Sequence, residues 1–468
     1  MSNTQQPIRI AGAQGFYGDS PMAAMNIVME KGADYLVHDA LAELTLSILQ
    51  KDRMADPRHG YARDIEFLAT MLIPAAFSQG IKIVTNSGGL NPEGAATRVK
   101  AILEKQGVKG LKIAIISGDN LYDQLGNLKE QGHELRNMDT NQPYAESKYQ
   151  PTHANVYMGA KSVAEALDQG ADLILAGRVA DPCLTLGILV HHYGWKLDGD
   201  LSQADLDLLA SGIAIGHLIE CGGQASGGNS YAEWPMEYPI YNLGYPIAHV
   251  YADGSAVMTK LESQGGKVSR NTIREQLVYE IHDPANYLTP DVTVDLTEVK
   301  IEDIEPNKVS FKGVKGKIRP EKLKLTIGQM EGYISDQFFY FSAPFAYDKA
   351  VMFIDAVKKI WANLPIKIDR QEFSIIGLDG MHPGAAPALA PEVLNSLNEI
   401  GVRLCIMHQD ERAGKLALQS IVCLGLNGPP GTISIPGWGK PGKAMLSLWP
   451  TLIPRDWVQE KLEILETV

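Results

Sequence analysis

The sequence predicts an α/β fold, with an open, mostly parallel sheet domain and a second, smaller α+β domain. The main observation is that short apolar runs alternate with helical patterns through the first 180 residues. This alternation is typical of βαβ units around a parallel sheet. A later extended pattern predicts the second domain. Five of the runs are predicted strands: Ile8–Ala13, Tyr35–Val37, Ile81–Thr85, Leu111–Ser117 and Asp172–Gly177.

The segments between these runs carry apolar residues at helical spacing, for example in Pro21–Glu30 and Arg98–Gln106. Proline at the first position of a helix, after a capping residue, favours a helix start. Ligands bind open α/β sheets at the carboxyl ends of the strands, so we expect the functional site there. Three strand-to-helix junctions show the capping pattern: Ser20-Pro21, Asn91-Pro92 and Asp181-Pro182.

The alternation weakens after residue 183, and the segment from Gly212 to Gly228 contains six glycines, which indicates loops. Thr293–Ile301 and Lys308–Ile327 have an extended, alternating character. Helical and extended patterns then alternate again toward the C-terminus. We therefore predict two domains, residues 1–300 and residues 301–468.

The chain of 468 residues carries 42 basic and 55 acidic side chains, for a net charge of −13. This balance argues against nucleic acid as a partner. No apolar run approaches the roughly 18 residues of a membrane span, and the first residues lack a secretion signal, so we expect a cytoplasmic protein. Four widely separated cysteines argue against a disulfide framework or a structural zinc site.

Three glycines, Gly12, Gly15 and Gly18, lie between the first predicted strand and its helix. They weakly resemble a dinucleotide-binding loop, but their spacing is irregular and the loop continues through Asp19. Their backbone N–H groups could contact an anion, and a tight turn without a ligand is the alternative. We predict that Gly15 contacts substrate and that Asp19 is a candidate catalytic residue.

Asp39 follows the second predicted strand, and Glu43 stands four residues later. If the helix begins at Asp39, both carboxylates lie on one face of it. Paired carboxylates can share a proton or hold a divalent cation. The alternative is that Asp39 caps the helix and that Glu43 is an acidic residue in its first turn, where the helix dipole favours negative charge. We count both as candidate catalytic residues, and a divalent metal stays an open possibility.

The third and fourth predicted strands end in small polar residues and glycines. Such neutral donors suit carboxylate, phosphate or carbonyl oxygens better than they suit a metal. Either segment alone could be a simple turn, but together they predict substrate-binding residues. The six residues are Asn86, Ser87, Gly88, Gly89, Asp119 and Asn120.

Arg178 and Asp181 follow the fifth predicted strand. An arginine at that edge could make a bidentate contact with a substrate carboxylate. The alternative is an ion pair between Arg178 and Asp181 that fixes the turn. We include both among the predicted substrate-binding residues.

His217 and Glu220 are three residues apart, a helical spacing that places them side by side. A histidine oriented by a carboxylate can act as a general base, and this pair is a second candidate catalytic set beside Asp19 with Asp39. The alternative is that the two residues only form the end of a helix, with the hydrogen bonds of the histidine made inside the fold. Neighbouring residues provide no further ligands at the spacing of a metal site.

Seven Lys and Arg residues lie between Lys308 and Lys324 in an alternating, strand-like stretch. A solvated sheet edge explains such a cluster, since charged side chains protect exposed edges. Binding the anionic tail of a cofactor or substrate is the alternative.

An ordered set of motifs resembles the acyclic terpene utilisation AtuA family. The match runs through most of the chain in the same order, although each motif alone is unspecific. The motifs are RIAGAQGFYGDSP, DYLVHDALAELTLSIL, IKIVTNSGGLNP, IAIISGDNL, ILAGRVADPCLTLG, GHLIECGGQASGG and NGPPG.

The resemblance implies a role in bacterial breakdown of branched terpenoids, where members were proposed to cleave or hydrate a branched 3-hydroxyacyl-CoA. We therefore expect a hydro-lyase or C–C lyase acting on a small hydroxycarboxylate or its coenzyme A thioester. In such a reaction Arg178 and the backbone near Gly88 and Gly89 could hold the carboxylate or enolate oxygen.

The alternative function is a non-catalytic binding or scaffold subunit of an acyl-CoA-processing complex. The resemblance implies that this region is often paired with a small extra domain, fused or separate, so a small partner subunit is one of the expected partners. A nicotinamide-dependent oxidoreductase is a weaker alternative. A homo-oligomer is expected from the general behaviour of large α/β enzymes.

Overall fold

The computed structural model describes residues 6–385, 388–434 and 442–468. The chain divides into two compact units, which are described separately. The first unit comprises Met1–Ser147, Pro151–Gly328 and Leu448–Val468. The second comprises Lys148–Gln150 and Gln329–Ser447.

The strands in the described part of the chain are numbered in chain order. They are β1 (Ile8–Gln14), β2 (Tyr35–His38), β3 (Lys82–Thr85), β4 (Lys112–Ser117), β5 (Gln150–Val156), β6 (Leu173–Ala176), β7 (Ile247–Val250), β8 (Ala256–Thr259), β9 (Tyr287–Leu288), β10 (Thr293–Asp295), β11 (Lys300–Glu305), β12 (Lys308–Lys312), β13 (Lys315–Lys317), β14 (Lys322–Ser342), β15 (Arg370–Ile376), β16 (Glu399–His408), β17 (Thr432–Ser434), β18 (Lys443–Pro454) and β19 (Lys461–Glu466).

The α-helices of the same residues are numbered likewise. They are α1 (Met22–Met29), α2 (Glu43–Ala55), α3 (Asp64–Met71), α4 (Ile73–Ser78), α5 (Pro92–Lys105), α6 (Leu125–Glu130), α7 (Lys161–Asp168), α8 (Asp181–Tyr193), α9 (Gln203–Glu220), α10 (Arg270–Leu277), α11 (Ala346–Ala362), α12 (Pro391–Ser396), α13 (Glu411–Ser420) and α14 (Leu424–Asn427).

A ten-stranded sheet dominates the first unit, in the order β11-β12-β8-β7-β1-β2-β3-β6-β4-β19. Its five central strands, β1, β2, β3, β6 and β4, are mutually parallel. The flanking strands join antiparallel, so the sheet is mixed and the prediction of a mostly parallel sheet is wrong in this respect. For β7 with β8 and for β11 with β12 the connections are too short for a parallel crossover.

Both faces of this sheet are buried, as the near-continuous apolar runs of its central strands require. Successive residues point to opposite faces: Ile10 packs with α8 and α9, whereas Ala11 packs with α3 and α5. The five strands predicted from the apolar runs are all present, within two residues of the predicted ends. Strands β11 and β12 lie after the predicted boundary at residue 300 but belong to this sheet.

The second unit contains an antiparallel sheet in which β16 pairs with β15 and with β14 from Tyr333 to Ser342. Helices α11 and α13 cover it, and Phe339, Phe353 and Trp361 are buried in its core. This α+β arrangement agrees with the strand and helix patterns of the C-terminal sequence.

The three predicted helix caps have different outcomes. Asn91 caps α5, since its Oδ1 accepts a hydrogen bond from Gly94 N at 3.0 Å. Asp181 is instead the first residue of α8, and its carboxylate accepts hydrogen bonds from Arg178. For α1 the capping position is Pro21 rather than Ser20. Ser20 Oγ nevertheless accepts a hydrogen bond from Met22 N at 3.3 Å, so the cap prediction is wrong only at Asp181. Within the described residues, none of the helices has both the length and the apolar character needed to span a membrane.

Candidate functional site

An open cleft of about 570 Å³ lies at the carboxyl ends of β1 and β2, between the start of α8 and the end of α9. We call it the acidic cleft. Among the described residues that line it there is no Lys, Arg or His. Five carboxyl groups line it: Asp19, Asp39, Asp181, Glu220 and Glu280.

Helix α9 brings its last turn to the cleft for reasons visible in the sequence. A capping box of Ser202 and Asp205 starts the helix, and each side chain bonds the backbone N–H of the other. Gly216 allows close packing on α8, because a Cβ there would stand 2.5 Å from the Pro182 carbonyl oxygen. His217 and Glu220 are thereby held beside the first turn of α8.

The glycine loop after β1 also serves this packing. A Cβ on Gly12 would stand 2.1 Å from the Ile219 carbonyl oxygen, and one on Gly15 would stand 2.5 Å from Gly222 N. These glycines therefore make room for the end of α9. Gly15 also lines the cleft, where its N–H donates to Asp19 Oδ2 at 2.9 Å.

Asp19 is largely occupied by the loop that carries it. Besides the bond from Gly15, its Oδ1 accepts from Tyr245 Oη and from Ser20 N, both at 2.7 Å. It lines the cleft, as predicted for a candidate catalytic residue. These bonds give it the geometry of a loop anchor rather than of a free base.

His217 and Glu220 form a buried pair, with Nδ1 and Oε1 2.7 Å apart. Glu220 lines the cleft and His217 lies behind it, so the carboxylate and not the imidazole faces a ligand. His217 Nε2 and Glu220 Oε2 are buried and have no hydrogen-bond partner among the residues that the structure describes. Buried polar atoms are rarely left so, and a catalytic role or a bound water or ion is among the explanations.

Burial raises the pKa of Glu220 above its usual value, and the His217 contact offsets this only in part. Burial alone would lower the pKa of His217, but the neighbouring Glu220 carboxylate raises it. The pair therefore retains a proton to higher pH than either isolated group would.

Asp39 is a second carboxyl with a raised pKa. Its burial is the main cause, the Asp181 charge adds to it, and Arg178 lowers it in part. Both hydrogen bonds that described residues make to it go to Oδ1, from Asn86 Nδ2 at 2.6 Å and Leu41 N at 3.1 Å. Asp39 precedes α2, which begins at Glu43, so the predicted shared helix face for Asp39 and Glu43 is wrong.

Arg178 lies under the cleft, with its side chain only 2% exposed. Its guanidinium donates to both carboxylate oxygens of Asp181 and stacks on the Tyr157 ring, 4.1 Å from the ring centroid. The ion-pair alternative of the sequence analysis is thus present. Arg178 Nε remains buried and without a partner among the described residues.

A second cavity, of about 510 Å³, shares Asp181 with the acidic cleft. We call it the tyrosine pocket, since Tyr157 and Tyr287 line it together with apolar residues such as Leu288 and Leu452. Glu43 lies nearby and accepts from Tyr157 Oη at 2.7 Å and from Lys324 Nζ. Burial would raise the pKa of Glu43, but these bonds lower it below its usual value.

The polar residues at the carboxyl end of β3 hydrogen-bond to one another and to their neighbours, outside both cavities. The Asn86 amide donates to Asp39 and accepts from Ala40 N at 2.7 Å, and Ser87 Oγ lies 2.7 Å from Thr85 Oγ1. A Cβ on Gly88 would stand 2.6 Å from the Ala176 carbonyl oxygen. Gly89 has a φ of 54°, which favours glycine.

The end of β4 is similar. Asp119 is buried and accepts from Asn155 Nδ2 at 2.6 Å. Asn120 Oδ1 accepts from Tyr122 N at 3.0 Å and shapes the following turn. Neither residue lines the acidic cleft or the tyrosine pocket. Asp119 and Asn120, like the four predicted residues after β3, therefore lie outside both cavities.

A metal centre finds no support in the described part of the chain, where no group of three or more His, Cys, Asp or Glu side chains could hold an ion. Most of the basic cluster is paired with carboxylates. The pairs are Lys308 with Glu305, Lys315 with Asp207, Lys317 with Asp295, Arg319 with Asp198 and Lys324 with Glu43.

Sequence reasoning missed Tyr157, Tyr287 and Glu280. Tyr157 follows β5, whose sequence QPTHANV lacks the apolar run that identified the other strands. Tyr287 belongs to a two-residue strand, too short for any period to be recognised. Glu280 follows α10 in a stretch that carried no motif.

The arrangement can hold and move protons in a site whose two carboxyls, Asp39 and Glu220, both titrate above their usual range. The family profile of the acyclic terpene utilisation family protein AtuA matches residues 8–464. No curated protein and no solved structure matches the chain. Because the match covers nearly all 468 residues, the chain belongs to the acyclic terpene utilisation AtuA family.

Proposed function

We propose that the protein is a lyase, a hydro-lyase or a C–C lyase, that acts on a hydroxyacyl thioester or a related small hydroxycarboxylate. The observation that carries the proposal is the buried His217–Glu220 pair, whose outer atoms lack partners among the described residues. A buried carboxylate held by a histidine at the wall of a cleft suits removal of a weakly acidic proton.

Glu220 is the proposed base, since it lines the cleft. His217 positions it by holding Oε1 at 2.7 Å. Asp39 is the proposed acid because its raised pKa keeps a proton on the carboxyl, and Oδ2 has no hydrogen bond from a described residue.

In dehydration Glu220 takes the α-proton of the substrate. The C–H electrons form the enolate and then the C=C bond, while the hydroxyl leaves as water with the proton of Asp39. In C–C cleavage Glu220 takes the hydroxyl proton instead. The O–H electrons form a C=O bond as the C–C bond breaks, its electron pair becomes the enolate of the released fragment, and Asp39 protonates that enolate at carbon.

The lining of the cleft favours a thioester over a free acid. A carboxylate held among five carboxyl groups, with no Lys, Arg or His among the described lining residues, would be repelled, whereas the reacting carbonyl of a thioester is neutral. The tyrosine pocket, which shares Asp181, supports an acyl chain with an apolar part. Arg178 then acts through Asp181 rather than by direct contact with the substrate.

The test is turnover of a branched 3-hydroxyacyl-CoA, with water loss and C–C cleavage followed separately by mass spectrometry of the products. Glu220→Gln should reduce turnover by at least about 100-fold, the usual effect of removing a general base. Asp39→Asn should reduce it similarly. Glu93→Gln, a matched change on an exposed face of α5, should have no effect.

Wild-type turnover that survives Glu220→Gln would contradict the proposal. Absence of turnover by the wild-type protein, together with stoichiometric capture of an acyl-CoA enzyme, would replace it with the scaffold function.

A further inference from the structure

A third cavity, of about 280 Å³, lies at the same edge of the large sheet. Its wall on one side is Phe67 and Leu68 of α3, and on the other side the ends of β1 and β2 contribute Gln14 and His38. The loop that carries Asp19 lines both this cavity and the acidic cleft. We call it the histidine cavity.

Two buried polar side chains of the histidine cavity carry atoms that no described residue hydrogen-bonds. His38 is 1% exposed, and neither of its ring nitrogens has a hydrogen-bond partner among the described residues. Gln14 is 3% exposed, and its Oε1 is equally unpartnered within the described chain. Leaving such atoms dry and unbonded is costly, so two side chains of this kind beside one cavity indicate a bound polar group.

The orientation of the Gln14 amide is fixed by its other end. Nε2 donates to Asp64 Oδ2 at 2.8 Å and to the Phe16 carbonyl oxygen at 3.0 Å. Asp64 Oδ2 also accepts from Gly18 N at 2.6 Å. The amide therefore cannot flip, and Gln14 offers only an acceptor to a ligand.

The cavity thus offers acceptors and negative charge. Burial lowers the pKa of His38 to about 3, so the imidazole is neutral and one ring nitrogen is an acceptor. Gln14 Oε1 and Asp64 Oδ1 are the other acceptors. No Lys or Arg lies among the described residues that line the cavity, so an anion would be unfavourable there.

We propose that the histidine cavity binds a small primary alkylammonium group. Three N–H donors of an ammonium match the three acceptors of Gln14, His38 and Asp64, and its charge complements the Asp64 carboxylate. The alkyl part would pack against Phe67 and Leu68, which favours an alkylammonium over a hydrated metal ion. This site is separate from the proposed lyase chemistry and does not depend on it.

The test is a calorimetric titration of the full-length protein with n-propylammonium chloride. We expect saturable binding with a Kd on the order of 1 mM, the range open to a ligand of this size. Titrations with n-propanol and with potassium chloride test whether the alkyl group or the ionic strength alone explains the signal, and both should give none.

Asp64→Asn keeps the shape of the site but removes the charge, so it should weaken binding at least 10-fold. Asp123→Asn, a matched change at an exposed residue, should leave the Kd unchanged. His38→Leu should abolish binding while the ligand-free protein unfolds at the same or a higher temperature, because an apolar side chain removes two unpartnered nitrogens.

Three results would overturn the proposal: no saturable response of the wild-type protein, equal binding of n-propanol and n-propylammonium, or unchanged binding by His38→Leu. The stability of His38→Leu separates loss of a ligand contact from loss of the fold.

Discussion

The ends of β3 and β4 and the ends of β1 and β2 carry similar residues but differ in how those residues are bonded. After β3 and β4, Asn86, Ser87 and Asp119 bond one another or their neighbours. After β1 and β2, and at the end of α9, side-chain atoms of His38 and Glu220 remain buried and unpartnered among the described residues. The first region lines neither the acidic cleft nor the tyrosine pocket, whereas the second borders the acidic cleft and the histidine cavity.

The difference teaches that residue type does not distinguish a site from its support. Asparagine, serine and glycine at a strand end favour a binding site in the sequence, yet the same groups complete a turn when they meet each other. Beside the cleft, Glu220 and Arg178 keep hydrogen-bonding capacity that no described residue satisfies. The predictions below test this distinction, from the largest expected effect to the smallest.

Arg178→Leu should lower the free energy of unfolding by about 3 kcal/mol or more, because it removes one partner of a largely buried ion pair. Urea unfolding monitored by circular dichroism measures this. Lys315→Ala removes an exposed partner of Asp207 and should leave the unfolding midpoint unchanged. Equal effects of the two substitutions would show that the Arg178 pair is no different from a surface pair.

Gly12→Ala should lower the stability by about 1–3 kcal/mol and also reduce turnover. A Cβ there would meet the Ile219 carbonyl 2.1 Å away and displace the end of α9 that carries Glu220. Gly107→Ala is the control, because Gly107 has a φ of 77° and open space around it. This substitution should lower the stability without reducing turnover. A stable, fully active Gly12→Ala would place the end of α9 outside the site.

Asp119→Ala should lower the stability by about 1–2 kcal/mol, since it leaves the buried Asn155 amide without its acceptor at 2.6 Å. The KM for a thioester substrate should not change, because Asp119 lines neither cavity of the proposed reaction. Unfolding and steady-state kinetics together separate the two effects. A rise in KM at unchanged stability would show that Asp119 belongs to the substrate-binding site.

Asp39→Asn should change the pH dependence of stability more than stability itself. The raised pKa of Asp39 means that the native state binds its proton more tightly than the unfolded chain does. Stability from this group is therefore complete below about pH 4 and is lost as the pH rises toward the native pKa. Denaturation at mildly acidic and mildly alkaline pH should show a smaller loss for Asp39→Asn than for the wild-type protein. Parallel curves would show an ordinary, ionised Asp39.

Much of the parallel core could be predicted from the sequence, because buried strands such as Leu173–Ala176 are continuous apolar runs between helical patterns. The flanking antiparallel strands β7 and β8 could not, since each has only four residues and lies where the alternation of the sequence weakens. Asp19, Asp39 and Asp181 were predicted from their positions at element ends, and Glu220 from its helical spacing to His217. Their separation from Asn86 and Asp119 depends on which groups meet after folding, and spacing along the chain does not contain that information.

The sequence predicts His217 as the base of the His217–Glu220 pair, whereas the proposed base is Glu220. This difference also depends on how the elements meet after folding. A spacing of three residues predicts that the two side chains are neighbours on α9, but not which of them faces the cleft. The crossing of α8 over α9 at Gly216 decides this by turning His217 inward and leaving Glu220 at the surface of the cavity.

Hydrogen exchange at the substrate α-carbon tests the central claim most directly, since both proposed lyase reactions pass through an enolate. The wild-type protein, a branched 3-hydroxyacyl-CoA and D₂O are incubated, and deuterium in the thioester and in released fragments is read by mass spectrometry. Deuterium should enter with the wild-type protein and with Glu93→Gln, and be reduced at least about 100-fold with Glu220→Gln. Equal incorporation by Glu220→Gln and the wild-type protein would contradict the assignment of the acidic cleft as the site of proton transfer.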